Sequence, residues 1–154
     1  MSEGVPIRLV TFDWETALDF NGQAAPYIQY AHVRANSILR KWSEEGTGNG
    51  GIELGALPGS QAISYPLDPS EVQLVDLLAR LPAEVQRAAD ETKTLPVTNL
   101  AYELARAFTD FYAACPVLKA EPEVRATRLR MVAAARQAIA NLLGLLGIPA
   151  PEVM

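Results

Sequence analysis

Prolines divide most of this 154-residue chain into segments of helical length, and this division constrains the fold more than any other feature. Proline has no backbone amide and a fixed φ, so it suits the first turn of a helix and disrupts a helix interior. Five prolines each open a stretch with helical apolar spacing: Pro26, Pro69, Pro82, Pro96 and Pro122. The sequence therefore predicts five helices, of which the last is the longest and ends at Gly147.

Two regions outside the predicted helices have a different character. Residues 1–25 are predicted to be a short extended leading segment, in which 7–15 resemble a strand. Residues 43–67 hold six of the ten glycines and are predicted to be a flexible loop. The GTGNGG sequence at 46–51 has the glycine spacing of a dinucleotide site, but such a site needs a strand before it and a helix after it. We therefore reject that site and predict an all-α bundle of about five helices, with a helical domain over 26–154.

The rarest side chains exclude several kinds of function. A single cysteine, Cys115, and a single histidine, His32, exclude an internal disulfide framework, a multi-cysteine metal site and any mechanism that needs two histidines. A catalytic pair of these two residues would lack an orienting third group, so both are predicted to be core residues. No apolar run approaches membrane-spanning length and no secretory signal opens the chain. These features predict a cytoplasmic binding protein with no membrane contact, no metal and no catalytic residue.

Charge is distributed unevenly along the chain, whose formal net charge is −5. Residues 26–42 and 124–147 carry basic side chains and no acid, whereas the stretch between them, 43–123, holds 13 acids and 5 bases. Because salt screens charges beyond about 8–10 Å, a local basic patch can bind phosphate in an acidic protein. The alternative is that both basic segments are ordinary solvated helix faces.

One side of the helix that begins at Pro26 carries four side chains that suit single-stranded RNA. Tyr30, Arg34, Ser37 and Lys41 recur at helical spacing, opposite the predicted core face. A tyrosine ring can stack on an unpaired base while the cations meet phosphates. The alternative is a solvated face with an incidental tyrosine. On the helix that begins at Pro96, the helical period predicts an inner face of Leu100, Leu104, Phe108, Phe111 and Cys115 and an outer face of Tyr102, Arg106 and Asp110. Tyr102 is therefore a second stacking candidate.

The last predicted helix places an arginine within its apolar stripe. Arg128 is expected either to extend its charged end to solvent or to pair with a buried acid, and the alternative is direct RNA contact. Asp68 and Glu71 have the spacing of a capping box, which predicts that they close the start of the helix containing Pro69.

Three long stretches, 12–41, 100–118 and 125–154, resemble the carboxyl-terminal part of arginyl-tRNA synthetase, the class I aminoacyl-tRNA synthetase for arginine. The PYIQYAHVR sequence and the chain ending LLGI…VM carry most of the resemblance. It implies a helical anticodon-binding domain of the type named for an Asp-Ala-Leu-Arg motif, although Ala-Thr-Arg-Leu-Arg at 126–130 does not spell that motif. It also implies that residues 1–25 are the end of the catalytic domain, which leads into the helical domain. The parent enzymes attach arginine to tRNA with ATP, but their His-Ile-Gly-His and Lys-Met-Ser-Lys-Ser type signatures are absent. The chain is therefore predicted to be a non-catalytic part of such an enzyme, without a cofactor of its own.

The resemblance also implies partners and site residues. The partners are the anticodon loop of arginine tRNA and the catalytic domain of the same enzyme, and the chain is expected to be a monomer. Tyr30 and Arg34 match the family's helix that faces the loop, and Met154 matches a terminal methionine near it. At 100–102 this chain has Leu-Ala-Tyr where the family often has Tyr-Leu-Tyr, so only Tyr102 is kept. The alternatives are a helical protein-interaction domain, which an exposed apolar stripe would favour, and a small freestanding enzyme, which the single histidine and the missing signatures disfavour.

Overall fold

Four helices make up the part of the chain that the computed structural model describes, residues 25–44 and 63–154. They are α1 (Ala25–Trp42), α2 (Pro69–Glu91), α3 (Leu95–Ala114) and α4 (Pro122–Leu145). These two ranges contain no strand, and the all-α prediction is confirmed. The predicted leading segment before α1 and most of the glycine-rich loop, 45–62, lie outside the described residues.

The predicted break at Pro82 is wrong, because α2 continues through this proline as one 23-residue helix. Proline inside a helix removes one backbone hydrogen bond. However, Leu74 and Leu77 before Pro82 and Ala88 after it are all buried in the same core, while Pro82 lies on the exposed side. Burial along the whole helix outweighs the lost hydrogen bond, so the described bundle has four helices rather than about five.

α3 and α4 each contact the other three helices, and the inner face of α3 contributes much of the core. The predicted inner face is confirmed, since Leu104, Phe108 and Phe111 are fully buried and the two phenylalanine rings lie 6.2 Å apart. Cys115 is buried at the end of this face, and His32 is buried at the edge of the α1 core face. Both therefore occupy the core positions predicted for them.

The ends of two helices match their sequence signals. At the start of α2, the Asp68 side chain accepts a hydrogen bond from the Ser70 amide and Glu71 accepts one from the Asp68 amide, which is the predicted capping box. After α4, Gly147 adopts φ 70°, and the Ile148 amide donates to the Leu143 carbonyl. A left-handed residue with this bond pattern stops a helix, and glycine adopts it without a steric cost. No helix within the described ranges is long and apolar enough to cross a membrane.

Candidate nucleic-acid interface

The predicted stripe lies on the outer side of α1, but its members differ in exposure. The Tyr30 side chain is 52% exposed and Lys41 is exposed, whereas Arg34 and Ser37 are half-buried. The remaining faces of α1 explain this position, since Ile28, Ala35 and Leu39 are buried and anchor the helix to the bundle. That packing turns the stripe outward.

Arg34 lies between two tyrosine rings that come from different helices. Its guanidinium carbon is 4.7 Å from the centroid of Tyr30 and 4.8 Å from that of Tyr112 on α3. Arg34 Nη2 also donates a hydrogen bond of 3.0 Å to the Tyr30 hydroxyl. Cation–π contacts of this kind hold the guanidinium in place. Tyr112 is itself 44% exposed, so this cluster of Tyr30, Arg34 and Tyr112 presents two aromatic rings and one cation at the surface.

An open groove of about 430 Å³ begins at this cluster. One wall belongs to α1 and includes Arg34, Ser37 and Lys41. The other wall is formed by Tyr112 and by the segment between α3 and α4, which contributes Lys119. The groove therefore brings together three of the four stripe residues and adds an ammonium group from the opposite wall.

Sequence reasoning missed Tyr112 and Lys119. A signal for Tyr112 was present, because it follows the buried Phe111 and the helical period turns position 112 away from the core. Its contact with Arg34 was not predictable from either helix alone, since it depends on how α1 packs against α3. Lys119 lies in a connecting segment, where no periodicity indicates direction.

A network of side chains around the buried Glu71 carboxylate fixes the far wall of this groove. Arg128 on α4 donates from Nη1 to the Pro116 carbonyl at 2.9 Å, and from Nε to the Glu71 carboxylate at 2.7 Å. Glu71 is fully buried and also accepts from the Tyr65 hydroxyl at 2.9 Å. Arg128 therefore pairs with a buried acid, as expected. Through Pro116 it holds the segment whose Lys119 lines the groove.

This network makes stability sensitive to alkaline pH. Burial, reinforced by the hydrogen bond to the Glu71 carboxylate, raises the pKa of Tyr65 to about 12. The unfolded chain releases this proton near pH 10, so the folded state binds it more tightly. The contribution of Tyr65 to stability is therefore complete below about pH 10 and is lost as pH rises towards 12.

We expect the free energy of unfolding to decrease over this interval more steeply in the natural chain than in Tyr65→Phe, which has no phenolic proton to lose. Urea denaturation of both proteins at several pH values between about 9 and 12 measures the difference. The Phe variant also corrects for every other group that titrates in this range. Parallel pH profiles for the two proteins would contradict the expectation.

Tyr102 does not face outward as predicted. It is half-buried, and its ring packs against that of Tyr27, with the centroids 5.6 Å apart. The reason is that the start of α1 lies over this part of α3, whereas Arg106 and Asp110, further along the same helix face, are exposed as predicted. The structure therefore places Tyr102 beneath the first turn of α1 and not in the Tyr30 cluster.

Met154 is 62% exposed at the end of the tail formed by residues 148–154. The tail lies along α1, where Gln29 Nε2 donates to the Pro149 carbonyl and His32 Nδ1 donates to the Pro151 carbonyl, each at 2.8 Å. These two side chains point from a different flank of α1 than Tyr30 does. The tail and the stripe therefore occupy two sides of one helix.

Neither the single histidine, His32, nor the single cysteine, Cys115, is placed for catalysis. His32 contacts the tail, whereas the Cys115 thiol lies 3.6 Å from the Ser70 hydroxyl. Burial raises the pKa of Cys115, which disfavours the reactive thiolate. Among the described residues, no three side chains of the metal-ligating types form a cluster that could hold an ion.

Residues 28–154 match the protein family described as the DALR anticodon binding domain. The chain belongs to this family. The chain is 46% identical to an arginine–tRNA ligase of Thermococcus sibiricus and 44% identical to one of Methanocella arvoryzae, in each case over 97% of its length. It covers 22% and 24% of those two proteins, so it spans about a quarter of the curated relatives that it matches.

Solved structures agree with this assignment. The DALR domain aligns with the Thermus thermophilus arginyl-tRNA synthetase at a TM-score of 0.74 and 36% identity, over 93% of this chain and 23% of that one. A Campylobacter jejuni protein described as a putative arginyl-tRNA synthetase has a TM-score of 0.68 and 21% identity, which shows the shared fold. The resemblance to arginyl-tRNA synthetase and the fold class that it implied are confirmed.

Proposed function

We propose that this chain is the tRNA-binding domain of an arginine–tRNA ligase and that it binds the anticodon loop of arginine tRNA. The observation that carries the proposal is the cluster of Tyr30, Arg34 and Tyr112 at the mouth of a groove lined by Lys41 and Lys119. Bases in a single-stranded loop can be splayed out and stacked on aromatic or guanidinium planes. The arrangement therefore fits an unpaired base flanked by its phosphates.

Each site residue has a defined role in this proposal. The exposed Tyr30 ring stacks on a base, Arg34 holds that ring and supplies positive charge, and Ser37 offers a hydroxyl within the groove. Lys41 meets a backbone phosphate, and Met154 contacts the RNA from the tail. Tyr102, which packs against Tyr27, supports the first turn of α1 instead of stacking on a base.

Catalysis belongs to the other part of such a ligase. We propose that ATP and arginine bind to the catalytic domain, which corresponds to the three quarters of the relatives that this chain does not cover. The chain then has no cofactor and no catalytic residue, and it serves the reaction by holding the tRNA as a monomeric module beside the catalytic domain.

Filter-binding titrations of the purified chain test the proposal. One series uses arginine tRNA, and the matched series uses the same tRNA with its anticodon loop replaced by an unrelated sequence. We expect tighter binding to the intact tRNA at every salt concentration. Equal binding to both RNAs, or none, would instead favour the helical protein-interaction domain. Its surface would then be the apolar groove between α2 and α4, where Leu81, Val85 and the 57%-exposed Leu145 lie.

Lys41→Ala should reduce the salt dependence of tRNA binding. A cation that neutralises one phosphate contributes roughly one unit to the slope of log K against log salt, because it releases a condensed counterion. The matched control is Lys93→Ala, which removes an exposed lysine just before α3 begins, whereas Tyr112 lies near the end of that helix, about 25 Å away along its axis. If Lys41→Ala and Lys93→Ala change the slope of log K against log salt equally, Lys41 does not contact a phosphate.

A further inference from the structure

The C-terminal tail follows α1 in register, in the same direction as the helix. Pro149 is bonded to Gln29 and Pro151 to His32, and the last residues then reach a groove of about 250 Å³ that also includes Asn36, Arg40 and Arg136. Glu152 and Val153 form the tail side of this groove. Successive tail residues therefore meet successive turns of α1, from its second turn towards its last.

The two hydrogen bonds are suited to hold this register. The carbonyls of Pro149 and Pro151 can only accept, so Gln29 Nε2 and His32 Nδ1 are the donors, and His32 carries its proton on Nδ1. His32 is buried beneath the tail, where an unpaired Nδ1–H would be costly, and its Nδ1 also lies 3.3 Å from Asn36 Nδ2. The turn at Gly147 directs the chain towards α1, and Ile148 and Ala150 pack against the core beside these bonds.

The side chains that hold the tail lie roughly 100–160° around the α1 axis from Tyr30. An RNA loop that stacks on Tyr30 can therefore reach the end of the tail only around the adjacent flank of the same helix. A free tail would lose this fixed relation, because terminal residues are otherwise poorly ordered.

We infer that Gln29 and His32 are positioning residues, which clamp the tail along α1 so that Val153 and Met154 are presented to the RNA on the flank of α1 next to the stripe. The role of the tail in RNA binding rests on the proposed function, whereas the clamp itself rests on the two hydrogen bonds. A competing explanation is that the clamp only seals the core, in which case its loss would change stability and leave RNA binding unaffected.

A double-mutant cycle on the full chain separates these explanations. The clamp variant is Gln29→Leu with His32→Leu, and the tail variant lacks residues 152–154. We expect each to weaken binding of arginine tRNA severalfold, and the combined variant to bind no more weakly than the tail variant alone. Additive losses, or a clamp variant that binds as tightly as the natural chain while still folded, would overturn the inference.

Two further variants keep the result interpretable if leucine at position 32 perturbs the core. His32→Asn retains an amide donor near the position of Nδ1 and should restore most of the binding. Gln73→Leu removes the same kind of side chain from the exposed surface of α2 and should have no effect. If His32→Asn binds tRNA no more tightly than His32→Leu, then loss of the hydrogen bond to Pro151 is not what weakens binding.

A readout without RNA distinguishes failure of the clamp from failure of the proposed function. Carboxypeptidase should release Met154 and Val153 faster from the clamp variant than from the natural chain or from Gln73→Leu. Unchanged release rates would overturn the clamp whatever the RNA does. Faster release in a chain that binds no tRNA would establish the clamp, but would overturn both its RNA role and the proposed function.

Discussion

Arg128→Met should lower the free energy of unfolding by about 3–5 kcal/mol, the largest change expected from any single substitution proposed for this chain. Methionine fills a similar volume without the charge, so the variant leaves the Glu71 carboxylate fully buried and without its cation. The Tyr65 hydroxyl and the Asp68 amide would still donate to that carboxylate, but neither carries a positive charge. Chemical denaturation monitored by circular dichroism measures the loss.

The control for Arg128→Met is an arginine with an equally short ion pair at the surface. Arg87 lies 2.7 Å from Glu84, but its side chain is 54% exposed, so Arg87→Met should cost less than about 1 kcal/mol. Combining Arg128→Met with Glu71→Gln removes the uncompensated charge and should recover part of the stability. A loss at Arg128 no greater than that at Arg87 would show that the buried pair does not stabilise the bundle.

Tyr30→Ala should weaken binding of arginine tRNA by about 1–3 kcal/mol, or roughly five- to 150-fold in Kd, because one base loses its stacking partner. The ring is 52% exposed, so the melting temperature should change little. Tyr30→Phe keeps the ring and loses only the hydroxyl that accepts from Arg34, and it should retain most of the affinity.

A second control for Tyr30→Ala is Val72→Ala, which removes an equally exposed apolar side chain from α2. Filter binding gives the affinities, and thermal unfolding reports the folded fraction of each variant. If Tyr30→Ala unfolds the domain, or if Val72→Ala weakens binding as much, then stacking on Tyr30 is not what holds the RNA.

Patterns within one helix were predictable from the sequence, whereas relations between helices were not. The core faces of α1 and α3, the capping box at Asp68 and the stop at Gly147 depend on local spacing and backbone chemistry, and the structure agrees with each. Pro82 was misread because burial on both sides of it stabilises α2, and that burial depends on α3. Tyr102 was misread for a similar reason, since Tyr27 covers it.

The candidate site shows the same division. The α1 stripe follows from helical periodicity. The contact between Arg34 and Tyr112 does not, because Tyr112 lies on a different helix, α3. The sequence also predicted a capping role for Glu71 and, as one of two structural options, a buried acid beside Arg128, without indicating that these are one carboxylate. Two independent local requirements converge on Glu71 only after α2 and α4 pack together.

That shared carboxylate has a consequence for how DALR domains can diverge. Glu71 and Arg128 are 57 positions apart in the chain, yet replacing either one leaves the charge of the other without its ion-pair partner. In addition, a new residue at 71 must still accept from the Asp68 amide. Substitutions at these two positions should therefore be inherited together across the family, and lineages that have lost the arginine should carry a neutral hydrogen-bond acceptor in place of the acid.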